Sequence, residues 1–284
     1  MLQTGIGFNK YGFNDTTDGE LLSMLKSVGF NSFFTGYKDA SEDGLVEARK
    51  KEAERVGIKY ESIHAPFDCI NCMWDEGEKG DAYVERLKNV ADVCKRYNIG
   101  YFTLHCMNVP QFNVDVTAPI KCSQLGIDRF RRVVEYAAEC GVKACFENVE
   151  FPQFELKSLL TTLRADGFPS LGFTWDVGHD HCYPSDLDIA EEFGDLLTGT
   201  HIHDNWGQAD PHIITWNDDS HVLPFDGTVD FRKFANDIKK CGYTGTLTLE
   251  VTKSDYIPWH RVDTLEKYLK MAHERAEHIA MLCE

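Results

Sequence analysis

The stretch FRRVVEYAAECGVKACFENV, residues 130–149, contains the unit from which the fold can be predicted. Phe130, Val133 and Ala137 recur at the three- and four-residue spacing of one face of an amphipathic helix. Gly141 follows, and a glycine just past a helix closes the C-terminus in the left-handed conformation. A short β-rich run comes next and ends in a glutamate. The stretch therefore predicts a helix, a glycine stop and a strand with an acid at its end.

The same helix–glycine–strand pattern recurs along the chain. Seven glycines carry it, namely Gly29, Gly57, Gly100, Gly141, Gly167, Gly199 and Gly242. Their separations run from 26 residues (Gly141 to Gly167) to 43 residues (Gly57 to Gly100). One strand, one helix and two loops take ~30 residues or more. The spacing therefore predicts repeated strand–helix units.

Seven strands are predicted in this way, namely Ser32–Thr35, Tyr60–His64, Tyr101–Cys106, Lys143–Val149, Leu171–Val177, Thr200–Asp204 and Thr246–Val251. Gly5–Asn9 supplies an eighth strand at the start of the chain. Eight parallel strands alternating with helices are typical of the (β/α)8 TIM barrel, which we expect as a single α/β domain over residues 1–284. An open doubly wound sheet is the alternative. However, Gly5 and Gly7 lack the third glycine of the phosphate loop that such a sheet carries after its first strand.

The composition limits the class of protein. The chain has 284 residues, of which 43% are apolar and 26% charged, as in ordinary soluble globular proteins. Its net charge of −17 argues against nucleic acid or an anionic membrane as a partner, because phosphate contacts need Lys and Arg. The start of the chain lacks the basic and apolar segments of a secretion signal. We therefore expect a cytoplasmic protein whose ten cysteines are reduced.

Acids and histidines lie at the ends of six consecutive predicted strands. In chain order they are His64, His105, Glu147, Asp176, His203 and Glu250. Active sites of TIM barrels lie at the C-terminal ends of the strands, so these side chains should converge in one ring. Crowded carboxylates repel one another and burial raises their pKa values, and a divalent cation relieves both penalties. Two or three carboxylates with one imidazole suit one ion of Mn²⁺, Mg²⁺, Co²⁺ or Zn²⁺.

The seventh strand carries two histidines, His201 and His203. Side chains alternate along a strand, so residues two apart point to the same face and alternation does not choose between them. His203 lies at the predicted strand end, and we interpret it as the metal ligand. We expect His201 one layer deeper, in the core or behind the ligands.

These motifs make the chain resemble the sugar phosphate isomerase/epimerase superfamily, with its xylose-isomerase-like TIM barrel. The resemblance covers almost the whole chain. It rests on His64–Pro66, Phe146–Asn148, Trp175–His179, His201–Asn205 and Asp219–His221, followed by Pro224 and Gly227–Phe231. The group includes ketose epimerases, hydroxypyruvate isomerases, inosose dehydratases and class II apurinic endonucleases.

The resemblance implies a mononuclear metal held by Glu147, Asp176, His203 and Glu250. Glu147 and Glu250 are also the candidate catalytic pair, because one carboxylate can remove a proton beside a carbonyl while another returns it. The candidate substrate-binding residues are His64, His105, His179 and His221. His179 and His221 also mark a possible additional metal.

These residues predict a metal-dependent isomerase or epimerase of a sugar, polyol or keto acid. If the reaction ends with the loss of hydroxide and not with the return of the proton, the enzyme is an inosose-dehydratase-like lyase. Phe8, Trp206 and Trp216 are candidates for stacking on the C–H face of a sugar. The sequence has neither a glycine-rich phosphate loop nor a clear Arg/Lys cluster, which favours a non-phosphorylated substrate. The oligomeric state stays open between a monomer and a homo-oligomer.

A zinc-dependent apurinic endonuclease is a further alternative. That branch uses nine ligands for three zinc ions, and the resemblance supplies an equivalent for each: His64, His105, Glu147, Asp176, His179, His203, Asp219, His221 and Glu250. The charge of −17 argues against this activity.

The tagatose- and psicose-type epimerases carry an arginine shortly after the histidine of the seventh strand, whereas residues 204–210 contain no basic residue. Their way of recognising substrate is therefore not expected here.

Overall fold

Eight parallel strands form the barrel, as predicted. The structure, a computed structural model, describes residues 1–108, 122–149, 153–183, 187–210, 215 and 218–284. The strands are β1 (Gln3–Gly7), β2 (Ser32–Gly36), β3 (Lys59–His64), β4 (Tyr101–Leu104), β5 (Lys143–Glu147), β6 (Leu171–Asp176), β7 (Leu197–His201) and β8 (Thr246–Leu249). Neighbouring strands in the chain pair in parallel from β1 to β7, and β1 also pairs with β8. The fold is a (β/α)8 TIM barrel.

The ring is completed by Ile202, which lies just past β7. Its N–H donates to the carbonyl of Thr248 at 2.9 Å, and the N–H of Glu250 donates to the Ile202 carbonyl at 3.0 Å. Because these bonds join β7 and β8 at their C-terminal ends, they place His201 and Glu250 next to each other.

The described residues include nine α-helices. They are α1 (Asp18–Val28), α2 (Asp43–Val56), α3 (Glu78–Arg96), α4 (Gln124–Cys140), α5 (Gln153–Ala165), α6 (Val177–Cys182), α7 (Ile189–Phe193), α8 (Phe231–Lys240) and α9 (Leu265–Leu282). Helix α4 buries Phe130, Val133 and Ala137, the apolar face that the sequence predicts. In this part of the chain no helix combines the length and apolar character needed to span a membrane.

Five of the seven predicted glycine stops have the expected left-handed backbone, with φ between 62° and 120°. At the end of α3 the left-handed residue is Asn98 (φ 52°) and not Gly100. The prediction for Gly199 is wrong, because Gly199 lies inside β7. A Cβ at Gly199 would lie 2.5 Å from the Tyr101 hydroxyl, so the glycine is needed for close packing.

The strands are buried on both faces, as expected for a parallel sheet covered by helices. Every residue of β6 is buried. Its Trp175 contacts Phe234 of α8, with ring centroids 5.2 Å apart. All ten cysteines are free thiols. The packed barrel holds the strand ends, and the side chains that follow them, in defined positions.

Candidate active site

Glu147, the last residue of β5, is the centre of the site. Its carboxylate is fully buried. Oε2 lies 3.1 Å from His105 Nε2 and 3.3 Å from His64 Nε2, while Oε1 lies 2.6 Å from His201 Nδ1. Three imidazoles from three other parts of the barrel therefore surround one buried negative charge.

The register between β6 and β7 decides which histidine joins the carboxylates. Asp176, the last residue of β6, pairs with His201. His201 Nδ1 also lies 3.0 Å from Glu250 Oε2. One ligand atom from each of Glu147, Asp176, His201 and Glu250 lies within 4.8 Å of the other three. We call these four residues the first group.

This geometry differs from the expectation for His203. His201 is the last residue of β7 and lies at the level of the carboxylates, whereas His203 lies beyond the strand end. The difference arises because β7 begins and ends about three residues earlier than the sequence predicts. His201 was therefore missed as a candidate ligand, and its position beside Asp176 follows from the strand pairing.

His203 belongs to a second group, with His179, Asp219 and His221. Its Nε2 atom lies 3.6 Å from Asp219 Oδ1, and its ring stacks on His221 with centroids 3.7 Å apart. Asp219 also lies 3.5 Å from His179 Nε2 and 3.3 Å from His221 Nε2. The two groups are adjacent, because His203 Nε2 is 3.1 Å from Asp176 Oδ1.

Local backbone features position the second group. Asp176 caps the short helix α6 by accepting the N–H of His179 at 2.8 Å. A Cβ at Gly178 would lie 2.1–2.4 Å from ring atoms of His203, so only glycine lets the two elements approach this closely. His221 has a left-handed φ of 47°, and its Nδ1 contacts the Glu250 carbonyl at 2.9 Å.

A third group consists of His64, His105 and Glu147. The site therefore assembles all nine residues of the three-ion hypothesis, with His201 as a tenth. Seven buried side-chain atoms in it lack a hydrogen bond of good geometry to the described residues. They are His105 Nδ1, Glu147 Oε2, Asp176 Oδ2, His179 Nδ1, His201 Nε2, His203 Nε2 and Asp219 Oδ1. Buried polar atoms are normally paired, so this concentration makes the three groups candidates for holding a cation.

Burial and charge oppose each other in setting the pKa values here. Burial lowers the pKa of His201, but Glu250 and Glu147 outweigh it and hold that pKa well above its ordinary value. Burial raises the pKa values of Glu147 and Glu250, but the His201 charge holds both below their ordinary values. In the second group burial lowers the pKa of His221, and Asp219 raises it to a net value of about 9.

A cavity of about 800 Å³ opens beside the first group. Glu250 and His64 line it together with Phe34 and Phe67. Phe67 stacks on His105, with ring centroids 4.6 Å apart. Neither phenylalanine is among the candidates predicted from the sequence.

The aromatic residues chosen from the sequence lie elsewhere. Phe8 packs on Phe33, and the guanidinium of Arg49 lies over its ring at 4.5 Å. Trp206 is half exposed and is not part of the cavity lining. Trp216 lies outside the described residues. The substrate-binding roles of these side chains stay predictions.

Comparison with known families agrees with this architecture. The sequence profile described as "Xylose isomerase-like TIM barrel" matches residues 22–275. The chain belongs to the xylose isomerase-like TIM barrel family. The match covers all six strand ends that supply the site.

Two curated relatives of this xylose isomerase-like barrel are uncharacterised. Protein y4fM of Sinorhizobium fredii is 33% identical over 127 residues, which are 44% of this chain and 36% of y4fM. The chain therefore spans about a third of that relative. Protein MJ1311 of Methanocaldococcus jannaschii is 22% identical over 222 residues, which are 75% of this chain and 71% of MJ1311.

Solved structures share the fold at low sequence identity. The 3-keto-D-glucoside 4-epimerase YcjR from E. coli is 13% identical in sequence, with a TM-score of 0.69. The superposition covers 98% of this chain and 100% of the YcjR chain. The D-psicose 3-epimerase of Clostridium cellulolyticum H10 is 12% identical in sequence, with a TM-score of 0.70. The superposition covers 98% of this chain and 99% of the epimerase chain.

The metal-free barrel should lose stability as the pH rises. When folding raises the pKa of a histidine, the protonated histidine stabilises the folded state, and this contribution is complete below the unfolded pKa of about 6.5. For His221 the contribution is lost as the pH rises through its folded pKa of about 9. His179 and His201, whose pKa values are also raised, act in the same direction. Between pH 7 and pH 10 we expect the melting temperature of chelator-treated protein to fall by roughly 3–6 °C, measured by differential scanning calorimetry.

The variant His221→Gln provides the control, because it removes one of these titrations and should reduce the slope. A metal-free melting temperature that stays constant from pH 7 to pH 10 would contradict the ion-pair assignment.

Proposed function

We propose that this protein is a divalent-metal-dependent sugar isomerase or epimerase that acts by proton transfer beside a carbonyl, through a metal-stabilised enediolate. One observation carries the proposal. The ligand atoms of Glu147, Asp176, His201 and Glu250 lie within 4.8 Å of one another at the end of a cavity of about 800 Å³. A metal site that opens into a cavity is the arrangement such chemistry requires.

The first group would hold the ion. Three carboxylates and one imidazole suit Mn²⁺, Mg²⁺, Co²⁺ or Zn²⁺. When bound, the ion supplies positive charge where the enediolate develops negative charge. His201 takes the place proposed from the sequence for His203, because His201 is the imidazole in contact with Glu147 and Glu250.

The two glutamates have different access to substrate. The Glu250 side chain is 25% exposed and lines the cavity, whereas Glu147 is fully buried among imidazoles. A general base must come within hydrogen-bond reach of the proton that it removes. Glu250 is therefore the carboxylate that exchanges a proton with substrate from the cavity side, and Glu147 is the candidate for the other side.

The geometry of proton return separates the reaction types. Return to the opposite face of the same carbon gives epimerisation, and return to the neighbouring carbon gives isomerisation. Loss of hydroxide would make the protein a lyase. The names of the two solved relatives, a 3-keto-D-glucoside 4-epimerase and a D-psicose 3-epimerase, support the first of these.

A zinc-dependent phosphodiesterase is the second candidate. Its support is that all nine residues of the three-ion hypothesis lie in three contiguous groups. The net charge of −17 opposes it, because a nucleic-acid backbone would be repelled unless bound ions offset the acidic side chains.

Mutation of the two histidines tests the assignment of the metal ligand. We expect His201→Gln to weaken Mn²⁺ binding by roughly 100-fold, since a ligand is lost, and His203→Gln to change binding at the first group only a few-fold. Titration of chelator-treated protein by calorimetry measures both. His278→Gln, at an exposed histidine outside the site, is the matched control. If His203→Gln alone abolishes binding, His203 is the ligand, as the sequence predicts.

Mutation of the glutamates tests proton transfer. At saturating Mn²⁺, Glu250→Gln and Glu147→Gln should each lower kcat by roughly 10²-fold or more, the scale of a positioned general base. Substrates are screened among ketoses, inososes and hydroxypyruvate in deuterated water, with deuterium incorporation at carbon followed by NMR. One variant should still exchange the substrate proton while failing to complete turnover. Glu85→Gln, at an exposed glutamate on α3, should match the wild type.

If both site variants keep wild-type rates with metal saturating, the two glutamates are ligands only and the acid–base proposal fails.

Cleavage of DNA separates the two candidate functions. We expect a duplex containing an abasic site to stay intact at physiological salt, because the acidic chain binds nucleic acid poorly. Gel electrophoresis after incubation with zinc-loaded protein measures the result. Zinc-dependent cleavage, together with three bound zinc ions per chain, would make the phosphodiesterase the leading candidate.

A further inference from the structure

The cavity beside Glu250 is large for a bare monosaccharide. Its volume of about 800 Å³ lies in the upper part of the range of roughly 300–1,000 Å³ that takes drug-sized ligands. Its inner end is formed by Glu250 and His64, which belong to the site. A sugar at the first group would therefore leave part of this space for another chemical group.

Part of the cavity wall is a poor partner for hydroxyl groups. Phe34, Ala65, Pro66 and Phe67 form this part, and the rest of the lining consists of Gly36, Tyr37, the site residues His64 and Glu250, and charged side chains. A free sugar carries hydroxyls on most carbons, and burying a hydroxyl without a partner weakens binding. An apolar or aromatic group suits these walls because it loses no hydrogen bonds on entering.

Phe67 has aromatic surface available for such a group. Its ring stacks on His105, and its edge contacts His64, with centroids 5.5 Å apart. Even so, 43% of the residue is exposed, and it lines the cavity. Aromatic rings bind other rings by offset or edge contacts.

The outer rim disfavours an anionic group. Asp39, Glu42 and Asp68 line it with Lys38 and Arg86, so carboxylates outnumber cations. The Arg86 guanidinium is already engaged, since it bonds the Asp68 carboxylate at 2.8 Å and the Lys38 carbonyl at 2.9 Å. These bonds join the segments after β2 and β3 and hold the rim in place.

We propose that the substrate is a sugar that carries a neutral apolar or aromatic substituent as well as the carbonyl that proton transfer requires, as in an aryl glycoside with a ketone on its ring. The sugar lies at Glu250 and the substituent occupies the cavity along Phe34 and Phe67. This inference rests on the proposed function for the identity of the sugar site, and it adds the class of substrate.

Gly36 offers a way to fill the cavity without disturbing the metal site. It is the last residue of β2, pairs with His64 and lines the cavity. A Cβ added there meets no atom within 4 Å. Gly44, on the surface of α2, also has open space for a Cβ and is not part of the lining, so Gly44→Phe is the matched control for Gly36→Phe.

The test compares 4-nitrophenyl and methyl glycosides of the same sugars, which lack the ketone and therefore report binding without turnover. Glucosides, galactosides and xylosides are titrated into Mn²⁺-loaded protein by calorimetry. For at least one sugar we expect the aryl glycoside to bind roughly tenfold or more tightly than the methyl glycoside, because the ring buries apolar surface. Gly36→Phe should abolish this preference while Mn²⁺ affinity stays unchanged, and Gly44→Phe should retain it.

Two results would overturn the inference. One is equal binding, or no binding, of every aryl and methyl pair. The other is an aryl preference that persists in Gly36→Phe, since the substituent would then lie elsewhere. Deuterium exchange with free ketoses reports separately on the proposed function. Exchange without an aryl preference rejects only the substituent, whereas an aryl preference without exchange on any keto sugar rejects only the proton-transfer chemistry.

Discussion

A fully buried carboxylate, Glu147, requires positive or hydrogen-bonding partners, and the rest of the site follows from this requirement. An uncompensated charge of this kind costs several kcal/mol. Its partners are His64, His105 and His201, which come from β3, from the residue just after β4, and from β7. Residues so distant in sequence meet only because the barrel closes. The packing of the barrel and the electrostatics of the site are therefore coupled.

The two ends of the site differ in their surroundings. At one end His203 lies against Gly178 so tightly that no Cβ would fit, and it stacks on His221. At the other end Glu250 lines a cavity together with Phe34 and Phe67. The candidate ligand groups therefore extend from one end to the other, and under the proposed function the chemistry should depend most on what enters the cavity beside Glu250.

Charge narrows the choice among the chemistries that this barrel supports. The chain carries −17 overall, and three of the five charged side chains at the cavity rim are acidic. Both features oppose a phosphorylated or polyanionic substrate. Under the proposed function, neither long-range charge nor counterion release attracts a neutral sugar. Its binding would come from the ion held by the first group, from hydrogen bonds and from contact with rings such as Phe67.

The barrel, its order of strands and five of the six strand-end residues could be predicted from the sequence, because helix periodicity, glycine stops and strand-terminal acids are local patterns. Tertiary structure alone decided that His201, and not His203, contacts Glu147 and Glu250. The two side chains share one face of the strand, and the choice depends on the pairing of β6 with β7, which is a contact between distant segments. The same holds for Gly199, which lies within β7 and leaves room for the Tyr101 side chain. It holds too for Phe67, whose ring contacts His105 although the sequence favours Phe8 and Trp206 as the aromatic residues of the site. Local sequence specifies what each segment can form, and the register and packing between segments decide which side chains meet.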